Sequence, residues 1–218
     1  MQISENIIYK NNQLIAFNKP IGLPVQADKT GDKSLVDLAE IYAKSKLEII
    51  HRLDRPASGI VLLGKSKKAL ASLNLQFQNR EIQKTYLAVV KNHPPEKEGT
   101  LTHFLLKSQK KNRSYAHDEA KGKSKKAELQ YKVISSIENY HLLEINLLTG
   151  RHHQIRAQLA AINSPIKGDE RYGFKRGNKD RSIHLHAWKL EFKHPVTNEV
   201  VKLEAPIPDE VVWQAFEI

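Results

Sequence analysis

Short apolar runs bounded by polar or turn residues recur along this chain, and in only three places do apolar side chains fall at helical spacing. A run too short for a helix buries itself by pairing with others like it. Strands are therefore expected over Ile7–Tyr9, Leu14–Asn18, Leu47–His51, Ile60–Leu63, Lys84–Lys91, Leu101–Leu106, Glu128–Ile134, His141–Leu147, Ile183–Phe192 and Val200–Leu203. Ser34 and Ser66 stand where helix caps belong, the first before Leu35, Leu38 and Ile41–Tyr42, the second before Leu70, Leu73 and Phe77. A third helix is expected to open at Thr149-Gly150 and to carry Ile155, Leu159 and Ile162 on one face. Lys19-Pro-Ile-Gly-Leu-Pro24 reads as a loop, Ala205-Pro-Ile-Pro208 as extended chain, and the basic stretch between Leu106 and Glu128 as a hairpin. Helices interrupt strands irregularly, which predicts an α+β fold rather than a doubly wound sheet. No repeat or low-complexity linker divides the 218 residues, so a single catalytic domain over 1–218 is the expectation.

Composition removes several chemistries. The chain has no cysteine, which excludes disulfides, thiolate metal sites and cysteine nucleophiles and fits a reducing cytoplasm. No apolar run reaches the roughly 18 residues of a membrane span, and Met1-Gln-Ile-Ser-Glu5 lacks the basic end and apolar stretch of a signal peptide. Membrane insertion is not expected, and a monomer is the default state. Lys and Arg number 35 against 24 Asp and Glu, a formal net charge of +11. The excess is local. Lys107–Lys126 holds eight basic and two acidic residues, Lys44–Lys68 seven and two, and Pro165–Ser182 six and three. These three blocks are the candidate footprint for a phosphate backbone, and each can also be read as a solvated face.

Two constellations are equipped for chemistry. His51-Arg52-Leu53-Asp54-Arg55-Pro56-Ala57-Ser58-Gly59 sets one carboxylate between two arginines on a turn. Arginine keeps a neighbouring carboxylate ionised, as a base or nucleophile requires, and grips phosphate in a forked geometry. Thr149-Gly150-Arg151-His152-His153-Gln154-Ile155-Arg156 gathers donors where a helix is expected to begin, a place that suits an anion. The bland readings are a surface salt bridge and an exposed polar turn. His184-Leu-His186 puts two rings on one face of a strand, but no His-Glu-x-x-His spacing or carboxylate cluster accompanies it, so no metal is expected. Nucleotide-triphosphate, dinucleotide and Gly-x-Ser-x-Gly motifs are absent, leaving a cofactor-free site built on Asp, Arg, His and Tyr.

At these residues the sequence resembles the RluA-type pseudouridine synthases. His51-Arg-Leu-Asp54 followed by Ala57-Ser-Gly59 matches the family signature. Asn18-Lys-Pro-Ile-Gly-Leu-Pro-Val25, Lys84-Thr-Tyr-Leu-Ala-Val89, Thr149–Arg156, Pro165-Ile-Lys-Gly-Asp-Glu-Arg-Tyr-Gly173, Leu185-His-Ala187 with Phe192-Lys-His-Pro195, and Ala205–Pro208 follow in family order. The chain departs from the pattern at Ala57, where threonine is common, and at His152, where threonine or serine is common. It resembles the short members that lack an S4-type RNA-binding module.

The resemblance implies a mixed, largely antiparallel β-sheet with flanking helices and a central basic cleft. It implies isomerisation of uridine in structured RNA, a ribosomal or transfer RNA stem-loop, to pseudouridine without cofactor or metal. By motif match Asp54 is the catalytic aspartate, Arg156 the arginine that pairs with it, and Tyr86 the tyrosine that stacks beneath the target uracil. Attack on ribose, attack on base and removal of the 2′ proton all remain open routes for the carboxylate. Arg52 is expected to fill the space of the flipped nucleotide or to hold phosphates, and Ile155 to pack on the flipped base. His153, Arg151, Lys167 and the Lys107–Lys126 stretch are candidates for RNA contact. A non-catalytic RNA-binding protein on the same fold, and a metal-free ribonuclease using His152 or His153, are the rival readings.

Overall fold

The computed structural model describes residues 2–216. In chain order its strands and helices are β1 (Ile7–Lys10), β2 (Leu14–Lys19), α1 (Leu35–Ala43), β3 (Glu48–Ile49), β4 (Ser58–Gly64), α2 (Lys67–Gln78), β5 (Gln83–Val90), β6 (Glu98–Ser108), β7 (Arg113–His117), β8 (Lys125–Ile137), β9 (Tyr140–Leu147), α3 (Gln154–Ala161), β10 (Leu185–Lys193), β11 (Val200–Glu204) and α4 (Val211–Gln214). Strands outweigh helices and the pairings described below are antiparallel, so the fold is α+β as expected. The chain divides into two compact units, Met1–Lys84 with Ala187–Ile207, and Thr85–His186 with Pro208–Ile218.

In the first unit β1, β2, β4 and the 187–193 part of β10 lie in that order, with β3 also on β4 and β11 on β10. β2 pairs antiparallel with β4, Ile15 opposite Leu63 and Phe17 opposite Val61. Both strands are buried on both faces, which explains why they read as continuous apolar runs rather than alternating ones. Leu14, Ala16, Ile60 and Leu62 face one way, onto Ala69 and Leu73 of α2. Ile15, Phe17, Val61 and Leu63 face the other way, onto Leu35 and Ala39 of α1. Both predicted caps form. Ser34 and Asp37 make a reciprocal capping box, and the Ser66 hydroxyl accepts from the Ala69 N–H.

The Leu47–His51 strand shrinks to two residues. The Leu47 N–H is taken by the Glu40 carboxylate at 3.0 Å, and the His51 ring, at 3.0 Å, takes the Leu62 N–H. Side chains thus replace ladder bonds at both ends of β3. Lys19, expected in a loop, is instead the last residue of β2 and fully buried.

In the second unit the order is β5-β9-β8-β6-β7. β6 and β7 form the expected hairpin, Leu106 opposite Tyr115. α3 packs through Ala157 on Leu105 and Ala127. It starts at Gln154, not at Thr149-Gly150. The Gln154 side chain is the reason: its oxygen accepts from the Thr149 hydroxyl at 2.8 Å and from the Arg151 N–H at 3.0 Å, and its amide donates to the Glu128 carbonyl at 3.0 Å. This network holds 149–153 as a loop that ends in a left-handed His153, φ 51°. No helix among the described residues is long and apolar enough to cross a membrane.

Candidate active site

The 50–57 segment that carries Asp54 joins β3 to β4 and is anchored on three sides. The Ala57 N–H donates to the Asp54 carbonyl at 3.1 Å, closing a tight turn. Just beyond it Gly59 adopts φ 108°, and a Cβ there would lie 2.3 Å from the Ala187 carbonyl oxygen. Only glycine permits that approach. Before it, burial and the Lys84 charge pull the His51 imidazole down to about 4, so the ring is neutral and able to accept from Leu62.

Arg55 spends its side chain away from the turn. Its guanidinium donates to Thr30 at 2.8 Å, to Asp28 at 3.2 Å and to Asp32. Its carbonyl accepts from the Gly22 N–H at 3.0 Å and from the Lys19 ammonium at 3.3 Å. The 19–32 stretch therefore wraps the residue next to Asp54. Arg52 is exposed.

Lys19 is the residue that sequence reasoning missed. Its ammonium donates to the carbonyls of Pro20, Leu23 and Arg55, at 2.9, 2.9 and 3.3 Å. Three hydrogens meet three acceptors. Burial pulls the ammonium down to about 7, opposed by the Asp54 carboxylate nearby. Each of these charges favours the ionised form of the other. The available signal was a lysine ending an otherwise apolar strand, Leu14-Ile-Ala-Phe-Asn-Lys19.

In the second unit Tyr86 lies on β5 opposite Ile145 of β9 and is buried. Arg156, in the first turn of α3, donates from Nε and Nη2 to the two oxygens of Asp169, at 2.6 and 2.8 Å. This forked pair is 5% and 1% exposed at its side chains. The guanidinium lies over the Tyr172 ring, 5.0 Å from its centroid, and the Arg113 guanidinium lies 4.8 Å from the same ring. The Tyr172 oxygen also meets the His153 Nδ1 at 3.0 Å. Arg156, His153 and Tyr172 are thus brought together.

The remaining candidates are placed separately. Ile155 is buried. Arg151 is exposed and bonds the Lys126 carbonyl at 3.1 Å, outside the helix in which it was expected. Lys167 bonds Asn178 at 3.0 Å, and partial burial lowers its ammonium. In the hairpin block Lys107, Lys110, Lys111, Lys121, Lys123, Lys125 and Lys126 are all exposed.

A sequence model of the RNA pseudouridylate synthase family matches residues 13–161. The chain belongs to this family. It is an RNA pseudouridine synthase of the RluA type, an isomerase acting on uridine in RNA. Ribosomal large subunit pseudouridine synthase C of Yersinia pestis is 30% identical over 221 residues, covering 96% of this chain and 68% of that protein. The protein of the same name from Buchnera aphidicola subsp. Schizaphis graminum is 32% identical, covering 93% of this chain and 67% of that one. Among solved structures, human RNA pseudouridylate synthase domain containing 4 superposes with a TM-score of 0.79 at 24% identity, covering 95% of this chain and 90% of that chain. That likeness establishes the synthase fold.

Proposed function

We propose that this synthase converts a uridine of ribosomal RNA and that Asp54 is its catalytic carboxylate. The observation that carries the assignment is the anchoring of the Asp54 turn: its neighbour's carbonyl is held by Gly22 and by the buried Lys19 ammonium, whose charge acts on Asp54. A carboxylate that must attack or take a proton gains from being ionised and fixed before substrate arrives. The names of the relatives in Yersinia and Buchnera support ribosomal RNA.

In this reading the C1′–N1 bond of uridine breaks, the uracil turns, and C5 bonds to C1′. C5 loses its proton and N1 gains one, so the product is an isomer. Tyr86 stacks on the uracil, and Arg156 is the third residue of the proposed chemistry. Ile155 packs on the base, while Arg52, Arg151, His153 and Lys167 serve RNA binding. The enzyme acts as a cytoplasmic monomer, with 1–218 as one catalytic domain.

The test is tritium release from transcripts labelled at uracil C5, with large-subunit ribosomal RNA fragments and transfer RNAs side by side. Release from the ribosomal pool alone is expected. Release from transfer RNA alone overturns the target assignment.

A further inference from the structure

Position 152 departs from the family pattern, and the structure gives its ring a full set of partners. His152 Nδ1 lies 3.0 Å from the Ser114 hydroxyl, and Nε2 lies 3.2 Å from the Asn112 side-chain oxygen. Ser114 also donates to the His152 carbonyl at 2.7 Å. Both ring nitrogens and the backbone of residue 152 are thus pinned to the β6–β7 hairpin.

His153 is pinned as well: the Tyr172 oxygen accepts the Ser114 N–H at 2.8 Å and lies 3.0 Å from the His153 Nδ1. The two rings lie 3.8 Å apart at 19°.

The pair is also held rigidly. The Arg171 guanidinium donates to the carbonyls of Lys111 and Asn112, at 3.3 and 2.8 Å, fixing the hairpin turn beneath the ring. His152 itself is only partly covered, while Lys110, Lys111 and Arg151 around it are exposed. A rigid, partly open ring among exposed basic residues suits single-stranded RNA, whose bases offer a π face and whose backbone offers phosphates.

We propose that the His152–His153 stack is an RNA-binding shelf, on which His152 stacks an unpaired nucleobase of the substrate while the exposed Lys110, Lys111 and Arg151 serve the adjoining phosphates. The proposal rests on the reading of RNA as the substrate and adds a contact that the family pattern, with a short hydroxyl side chain here, does not supply. The elements around the ring carry Arg151, His153 and Arg156 on its own segment, Lys111, Arg113 and Tyr115 on the hairpin, and Asp169, Glu170, Arg171 and Tyr172 on the adjoining turn. Asp169 is committed to Arg156, so cations dominate and the surface around the ring suits phosphate.

The experiment measures Kd by fluorescence anisotropy and KM and kcat by tritium release, on the same labelled ribosomal fragment. Base stacking is worth about 1–3 kcal/mol, so His152→Ala is expected to raise Kd and KM by roughly ten-fold or more, with the loss in KM rather than kcat. His152→Phe keeps a stacking face and recovers most of the affinity. Should His152→Ala unfold, His152→Thr carries the family's own residue and is expected to bind as weakly. An alanine or threonine variant that binds as tightly as the parent overturns the shelf, as does a phenylalanine variant no better than alanine. A parent that binds the fragment through His152 yet releases no tritium faults the target assignment and leaves the shelf standing.

Discussion

Replacing Asp169 by asparagine perturbs a deeply buried ion pair. Arg156 gives two N–H groups to the two Asp169 oxygens at 2.6 and 2.8 Å, with both side chains nearly sealed from solvent. Asparagine preserves the shape but turns one acceptor into an NH2 group, so one guanidinium N–H then faces another donor. A hydrogen bond to a charged group is worth about 1.5–3 kcal/mol, and removing one partner of a buried pair costs about 3–5 kcal/mol. Asp169→Asn should therefore cost about 3 kcal/mol. With a urea slope of about 2 kcal/mol/M, the unfolding midpoint falls by roughly 1.5 M. The tilted guanidinium also leaves the Tyr172 ring, which Ser114 and His153 share, so catalytic turnover falls with stability. Urea melts followed by circular dichroism supply the assay. A midpoint shift below about 0.3 M would mean that the fork contributes no more than an exposed pair, and the burial argument would fail.

Three further outcomes are expected of the same structure. His51 is neutral in the folded protein down to about 4 but takes a proton near 6.5 when unfolded. Between those values the unfolded chain binds more protons, so this contribution is complete above pH 6.5 and is lost as pH falls toward 4, by about 3 kcal/mol at most; urea melts across that range should show the loss, smaller in His51→Leu. Gly59→Ala puts a methyl into the Ala187 backbone at a φ that disfavours side chains; the soluble yield and melting temperature should both drop sharply, and an unchanged melt would refute the close approach. Neutralising Lys107, Lys110, Lys111, Lys121 and Lys123 together should flatten the salt dependence of RNA binding by up to about 0.7–0.9 for each RNA phosphate that is no longer neutralised; an unchanged slope would make that block merely solvated.

The doubly buried strands β2 and β4 were legible because a fully buried strand needs only an unbroken apolar run, and Ser34 and Ser66 announced α1 and α2 because a cap acts within three residues. The Asp54 turn and Arg156 were likewise visible as motifs. The further partners that hold them were not. Lys19 draws one of its acceptors from Arg55, 36 positions away, and Arg156 finds Asp169 13 positions on. Neither spacing has a period that a sequence can display. The late start of α3 escaped for a different reason: the Gln154 side chain competes for the groups that would have begun the helix, and a propensity argument treats glutamine as an ordinary helical residue.

The proposed role of Asp54 in the isomerisation is tested by tritium release from C5-labelled ribosomal RNA by the Asp54→Asn variant, beside the parent and with RNA binding measured on both. The parent is expected to release one tritium per uridine converted and the variant none, with RNA binding largely retained. Release by Asp54→Asn at the parental rate would move the chemistry to another residue.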